Sequence, residues 1–219
     1  GTGADDTYVV NPNNAGSGSH RSDLAPTFDF TGATTITVTG GAGGFDYVSV
    51  LGTEGIDTVT TPAATTVSFA GGGSVTLGAA LDRFDLYTFG SNDNVNLDLV
   101  YAGMQKLVDV GAGDDVVDLL GTDDATIFGD IGNDTITGTP DADLIFGGAG
   151  NDTMIGAGGN DTIFGEDGND LFGNPSTLSN GFADDPGADF FNGGDGIDQF
   201  VWEPGDGSDV VQGGVDGAD

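Results

Sequence analysis

Aspartates recur at every ninth place through one stretch of this 219-residue chain: Asp134, Asp143, Asp152, Asp161 and Asp170. A carboxylate is an oxygen donor with full negative charge, and carboxylates repeated at a fixed interval are what a hard cation takes as ligands. The chain carries 36 acidic residues against 3 basic ones, Arg21, Arg83 and Lys106, for a formal charge of −33. Charge of that size repels itself in a compact state. The acids nevertheless do not gather in blocks; they are spread among Ile, Val, Leu and 14 Phe. That interspersion points to cation ligands rather than to a solvated acidic tail.

Other chemistries find little footing. His20 is the only histidine, so an H-E-x-x-H zinc site is excluded. Gly16-Ser17-Gly18-Ser19-His20 has a nucleophile-like spelling but lies in a Gly/Ser/Asn stretch without the strand-turn-helix setting such a serine needs. Paired carboxylates of the glycosidase kind are expected by chance where nearly every turn carries an Asp, and no pair stands out from the repeat. An enzyme acting on uronic acids would need basic residues for the sugar carboxylates, and the chain has three. The expectation is a protein without catalytic residues. The same scarcity of Lys and Arg excludes binding to nucleic acid or anionic lipid. There is no cysteine, hence no disulfide or thiol chemistry, and no apolar run approaches a membrane span. The chain begins at Gly1-Thr2-Gly3 and ends at Asp219 inside what read as repeats, so a fragment of a longer protein is expected.

The elements that must position these aspartates follow from the repeat around them. Nonapeptides start at Gly129, Gly138, Gly147, Gly156 and Gly165, with Asp at the sixth place and Ile136, Ile145, Met154, Ile163 and Phe172 at the eighth. Glycine permits the positive φ of a tight turn, so each unit divides into a six-residue turn and a three-residue strand. Side chains alternate across a strand, so the eighth place points inward and its neighbours outward. Two nonapeptides make a coil of 18 residues, and each turn then stacks on the turn two repeats away. One ladder is expected to hold Asp134, Asp152 and Asp170; the other holds Asp143 and Asp161, with Ala125 at a place that lacks a carboxylate. Strands stack about 4.8 Å apart, so bare carboxylates on successive coils repel one another and closure calls for a cation between them. Phe128, Phe146 and Phe164 recur at the ninth place and are expected to stack on the outer face.

Gly193-Gly194-Asp195-Gly196-Ile197-Asp198-Gln199-Phe200-Val201 fits the pattern G-G-x-G-x-D-x-U-x at each defined place, U being a large apolar residue. On these motifs the chain from Val110 to Asp219 resembles the hemolysin-type calcium-binding (RTX nonapeptide) repeat family. The resemblance implies calcium ions, several of them, between stacked turns, held by main-chain oxygens near the first, third and fifth places and by the sixth-place Asp. The matching positions are Gly147, Ala149, Asn151 and Asp152; Gly156, Gly158, Asn160 and Asp161; and Gly165, Asp167, Asn169 and Asp170. Asp115, Asp134, Asp143, Asp189, Asp198 and Asp209 complete the expected metal-binding set, with Asp46, Asp57 and Asp93 as weaker members.

The expected fold is all-β, a parallel β-roll or β-helix solenoid with calcium-binding turns. Residues 111–219 form the roll, interrupted by an inserted loop at about 174–183 that is rich in turn formers. Residues 1–110 share the grammar loosely and alternate Thr with Val or Ile, as in Thr34-Thr35-Ile36-Thr37-Val38-Thr39, which reads as strand. They are expected to form a less regular parallel β-helix, with a separate β-sandwich as the alternative. Function is expected to be structural: a secreted, extracellular or cell-surface segment of an adhesin, S-layer or filament that folds on calcium after export. Self-association is a further expectation, because a roll has open ends. The alternative is an accessory module of a secreted lipase, protease or polysaccharide-active enzyme.

Overall fold

The structure, a computed structural model, describes residues 7–11, 27–29, 35–38, 45, 47–52, 54–63, 66–69, 74–77, 81–99, 103–173, 187–201 and 207–214. Asp46, His20 and the expected loop at 174–183 lie outside the described residues.

The described residues form strands in two 10-stranded sheets with no helix among them. From edge to edge the first sheet runs Thr27–Asp29, Thr7–Asn11, Tyr47–Leu51, Arg83–Tyr87, Gln105–Asp109, Ala125–Ile131, Leu144–Ala149, Thr162–Asp167, Phe190–Asp195 and Val210–Gln212. The second runs Gln199–Phe200, Leu171–Phe172, Thr153–Ile155, Thr135–Thr137, Val116–Leu119, Asn94–Leu97, Thr58–Ala63, Thr66–Phe69, Ser74–Leu77 and Thr35–Val38. From Tyr47 onward the strands are dealt alternately to the two sheets and pair in parallel with the equivalent strand of the next coil, as a roll requires. The exception is the antiparallel run Thr58–Ala63, Thr66–Phe69 and Ser74–Leu77, which folds back on itself within the second sheet. Residues on both sides of position 110 share these sheets, since Gln105–Asp109 pairs with Arg83–Tyr87 on one side and Ala125–Ile131 on the other.

Between the sheets, two columns of apolar side chains fill the interior. Val50, Leu86, Val108, Ile127, Ile145 and Ile163 stand in register on the first sheet and Val59, Val95, Val117, Ile136, Met154 and Phe172 on the second, all buried. The eighth-place column therefore continues well before Gly129. Each such side chain contributes about 1.5–3 kcal/mol by leaving water. Phe172 carries the column on by stacking on Phe200, with ring centroids 4.6 Å apart.

The three-residue strand holds on the second sheet, at Thr135–Thr137 and Thr153–Ile155, but not on the first. There, strands such as Leu144–Ala149 run on through the ninth place into the following turn, because that turn's third residues also pair: Ile131 with Ala149, and Ala149 with Asp167. Outside, Phe128, Phe146 and Phe164 stack with centroids 5.0 and 5.1 Å apart and their planes within 9° of parallel.

Candidate metal-binding ladders

A single buried column of aspartates joins the coils where the chain turns from the first sheet to the second. The backbone N–H of Asp57 donates to Asp93 Oδ1, that of Asp93 to Asp115, that of Asp115 to Asp134, and so on through Asp152, Asp170 and Asp198, at 2.6 to 2.9 Å throughout. Their spacing along the chain is 36, 22, 19, 18, 18 and 28 residues in turn. Asp57 and Asp93 thus share one stack with Asp134, and the widening to 28 shows ten extra residues between Asp170 and Asp198. Each aspartate's own carbonyl accepts the next coil's seventh-place N–H, as Asp134 does from Thr153 and Asp152 from Leu171.

In five of these aspartates both backbone groups and Oδ1 are bonded, which leaves one oxygen. Oδ2 of Asp93, Asp115, Asp134, Asp152 and Asp170 is buried and accepts no hydrogen bond. An unsatisfied buried carboxylate oxygen is costly, and here five stand in a column on successive coils. Burial is the main reason that the Asp134 and Asp170 carboxyls are pushed up to about 7 and that of Asp93 to about 6. The first-place glycine makes room for this oxygen: a Cβ at Gly147 would come within 2.5 Å of Asp152 Oδ2. The fourth place is tighter. Gly150 has φ 151°, and a Cβ there would strike the Gly132 carbonyl oxygen of the preceding coil.

Among the described residues no group of three or more His, Cys, Asp or Glu side chains converges to hold a metal. A cation in this column would therefore take most of its oxygens from main-chain carbonyls, which suits calcium, with its six to eight oxygen ligands. The carbonyls of Ala149 and Asp167 each accept one N–H from the preceding coil, from Gly132 and Gly150, and each keeps a second lone pair. The fifth-place side chains are engaged with one another: Asn151 donates from its N–H and its Nδ2 to Asn133 Oδ1, and Asn169 does the same to Asn151. Asn160 Oδ1 accepts from Ala188 N–H. Asn133 Oδ1 and Asn151 Oδ1 each accept two hydrogen bonds, so at those two places the main-chain oxygens are the ones left over.

Where the chain turns from the second sheet to the first, a second column is shorter. Ala125 N–H donates to Asp143 Oδ1, Asp143 to Asp161, Asp161 to Asp189 and Asp189 to Asp209. The first pair differs from the other column, because Thr139 donates from its backbone N–H to Asp143 Oδ2 and from its hydroxyl to Oδ1 at 3.0 Å. Asp143 is thus satisfied by its own turn, although burial still pushes it up to about 6. In this unit Thr139, Pro140 and Asp141 replace the small residues found at the equivalent places of the next one, Ala157, Gly158 and Gly159.

Lys106 and Thr139 were not among the residues expected from sequence to shape a ladder. Lys106 is buried and donates from Nζ to the carbonyls of Thr122 and Asp123. Its rarity was the available signal, since it is one of three basic residues.

The model of the RTX calcium-binding nonapeptide repeat, four copies, matches residues 120–154 and 137–172. Residues 120–172 therefore carry RTX nonapeptide repeats, which bind calcium, several ions across successive repeats, and typically occur in secreted proteins. No curated protein matches the chain.

Proposed function

We propose that this chain is a calcium-folded structural segment of a secreted or cell-surface protein, such as an adhesin, S-layer or extracellular filament, with no catalysis of its own. The column of buried Oδ2 atoms at Asp93, Asp115, Asp134, Asp152 and Asp170 carries the reading. A roll whose interior ladder leaves one carboxylate oxygen per coil unsatisfied is incomplete as protein alone.

Asp115, Asp134, Asp152, Asp170 and Asp198 would hold metal in the long column, extended to Asp57 and Asp93, and Asp161, Asp189 and Asp209 in the short one. Main-chain oxygens of Gly147, Ala149 and Asn151, of Gly156, Gly158 and Asn160, and of Gly165, Asp167 and Asn169 would complete the sets. Bound calcium supplies the positive charge that lets carboxylates stand on successive coils. The residues themselves set the coil spacing through Oδ1 and hold Oδ2 aimed at the first-place glycine. Because such a site does not exist in the unfolded chain, binding energy becomes folding energy. The segment would stay unfolded at low cytosolic calcium and fold after export.

Circular dichroism of the chain above neutral pH, where its carboxylates are ionised, with calcium and with a chelator tests this: the expected result is β-structure only with calcium, and a fully β-rich chain without it overturns the proposal. End-to-end association belongs to the same reading. Among the described strands Val210–Gln212 is an edge of the first sheet, and Val210 and Val211 are half exposed. Sedimentation in calcium checks it, with a strict monomer as the contrary outcome.

A further inference from the structure

Along the first sheet, the register lines up Val48, Phe84, Lys106 and Ala125, and Ala125 is followed by Asp143, Asp161, Asp189 and Asp209. The column thus passes from apolar residues through one cation and one alanine to carboxylates. Lys106 stands at the change. It is only 4 % exposed, and its Nζ reaches forward into the next coil's turn to donate to the carbonyls of Thr122 and Asp123, the latter at 2.9 Å. Main-chain carbonyls of a turn, approached from inside the roll, are the kind of oxygen a ladder cation takes.

The acids around it fit a cation at that point. Burial pushes the Lys106 ammonium below its ordinary value, and Asp123, Asp143, Asp141 and Asp124 oppose that shift by favouring the charged form, Asp123 most. Asp123 Oδ2 is itself buried without a hydrogen bond, while Asp143 is closed by Thr139. Arg83, the other described basic residue, is bound to Asp85, two residues on in its own strand, at 2.6 Å.

We propose that the Lys106 ammonium is a tethered substitute for a calcium ion: it caps the short ladder and holds the 122–125 turn closed without a metal ion at that place. The absence of a sixth-place carboxylate at Ala125 is then the complement of Lys106, since an added Asp there would lie beside a cation already in place. The long column has no such cap among the described residues and keeps its acids back to Asp57. The roll therefore has two sides of unequal calcium demand, with the first coils on one side closed by the chain itself.

The inference rests on the calcium reading for the rest of the ladder, and the test separates the two. Full-length Lys106→Met and Lys106→Met/Ala125→Asp chains are compared with the parent at saturating calcium, by hydrogen exchange over residues 122–128 and by calorimetric calcium stoichiometry. Lys106→Met is expected to speed exchange in that turn about tenfold or more without changing the number of ions bound. The double variant is expected to restore protection and bind one more ion than Lys106→Met. Unchanged exchange in Lys106→Met, or no added ion in the double variant, overturns the proposal. Should Lys106→Met fail to fold, the double variant decides alone: folding in calcium with an added ion supports the proposal, and failure to fold overturns it. A parent chain that binds no calcium would sink the calcium reading, whereas the exchange of Lys106→Met would still report whether Lys106 holds the turn.

Discussion

Asp134 donates its backbone N–H to Asp152 Oδ1 at 2.8 Å, and the other oxygen of the same carboxylate lies buried without a hydrogen bond. One side chain thus fixes the spacing of two coils and presents a charge between them.

These two roles separate by substitution. Asp152→Ala removes both and is expected to cost about 1.5–3 kcal/mol for the lost bond to a charged acceptor, on top of lost calcium affinity. Asp152→Asn keeps an oxygen for the Asp134 N–H and should lose chiefly the affinity. Calcium titrations followed by circular dichroism, with denaturant midpoints at saturation, check the ranking; equal behaviour of the two variants contradicts it.

Backbone strain gives a second pair. Gly150→Ala forces a Cβ into the Gly132 carbonyl at a φ that side chains rarely adopt, and should abolish closure of that coil. Asp130 and Glu166 adopt φ of 69° and 76° at the place where Gly148 stands in the coil between them. Asp130→Gly and Glu166→Gly relieve a left-handed conformation worth about 1–2 kcal/mol in a non-glycine residue, less the added entropy of the unfolded chain. A small rise in calcium-saturated denaturant midpoint is expected for these and a collapse for Gly150→Ala.

The pH dependence has a definite sign. Asp134 and Asp170 are raised to about 7 and Asp93 to about 6, mainly by burial, from ordinary unfolded values near 4. Without calcium the folded state binds more protons than the unfolded one, so its stability is greatest below the unfolded value and is lost as pH rises through about 6 to 7. A calcium-free chain should gain β-structure as pH falls from about 8 to about 5. With calcium the trend reverses, because protons compete for the same oxygens, and the calcium midpoint should rise over that range. Far-UV dichroism at fixed pH steps measures both, and flat profiles would contradict the burial of these carboxylates.

The outer phenylalanine stack is expected to shield the strand rather than to dock a partner. Phe146→Ser breaks two stacked contacts, each worth about 0.5–1.5 kcal/mol, and should lower stability while leaving the sedimentation coefficient in calcium unchanged. A fall in association would assign the stack to an interface instead.

The repeat made much of this legible. A glycine every nine residues with Asp five places later and a large apolar residue at the eighth fixes turn, ligand and core together, because only one arrangement satisfies all three. That reasoning reached Ile136, Ile145, Met154, Ile163 and Phe172 as core and placed Asp134, Asp152 and Asp170 on one side. It weakened where coil lengths vary. Asp57 and Asp93 sit in the same column as Asp134, yet steps of 36 and 22 residues hide the repeat.

By itself, then, the sequence determined the local grammar: glycine where a Cβ cannot fit, aspartate where charge is wanted, and an apolar residue where the strand faces inward. Each of these depends on neighbours within one nonapeptide or its regular repeat. The tertiary structure decided which aspartates remain short of a partner, because that depends on which coil stacks on which. Thr139 closes Asp143 within its own turn, the preceding coil's Asp134 N–H takes one carboxylate oxygen of Asp152 and leaves the other, and Lys106 becomes a buried cation only when the strand Gln105–Asp109 lies beside the turn ending at Ala125.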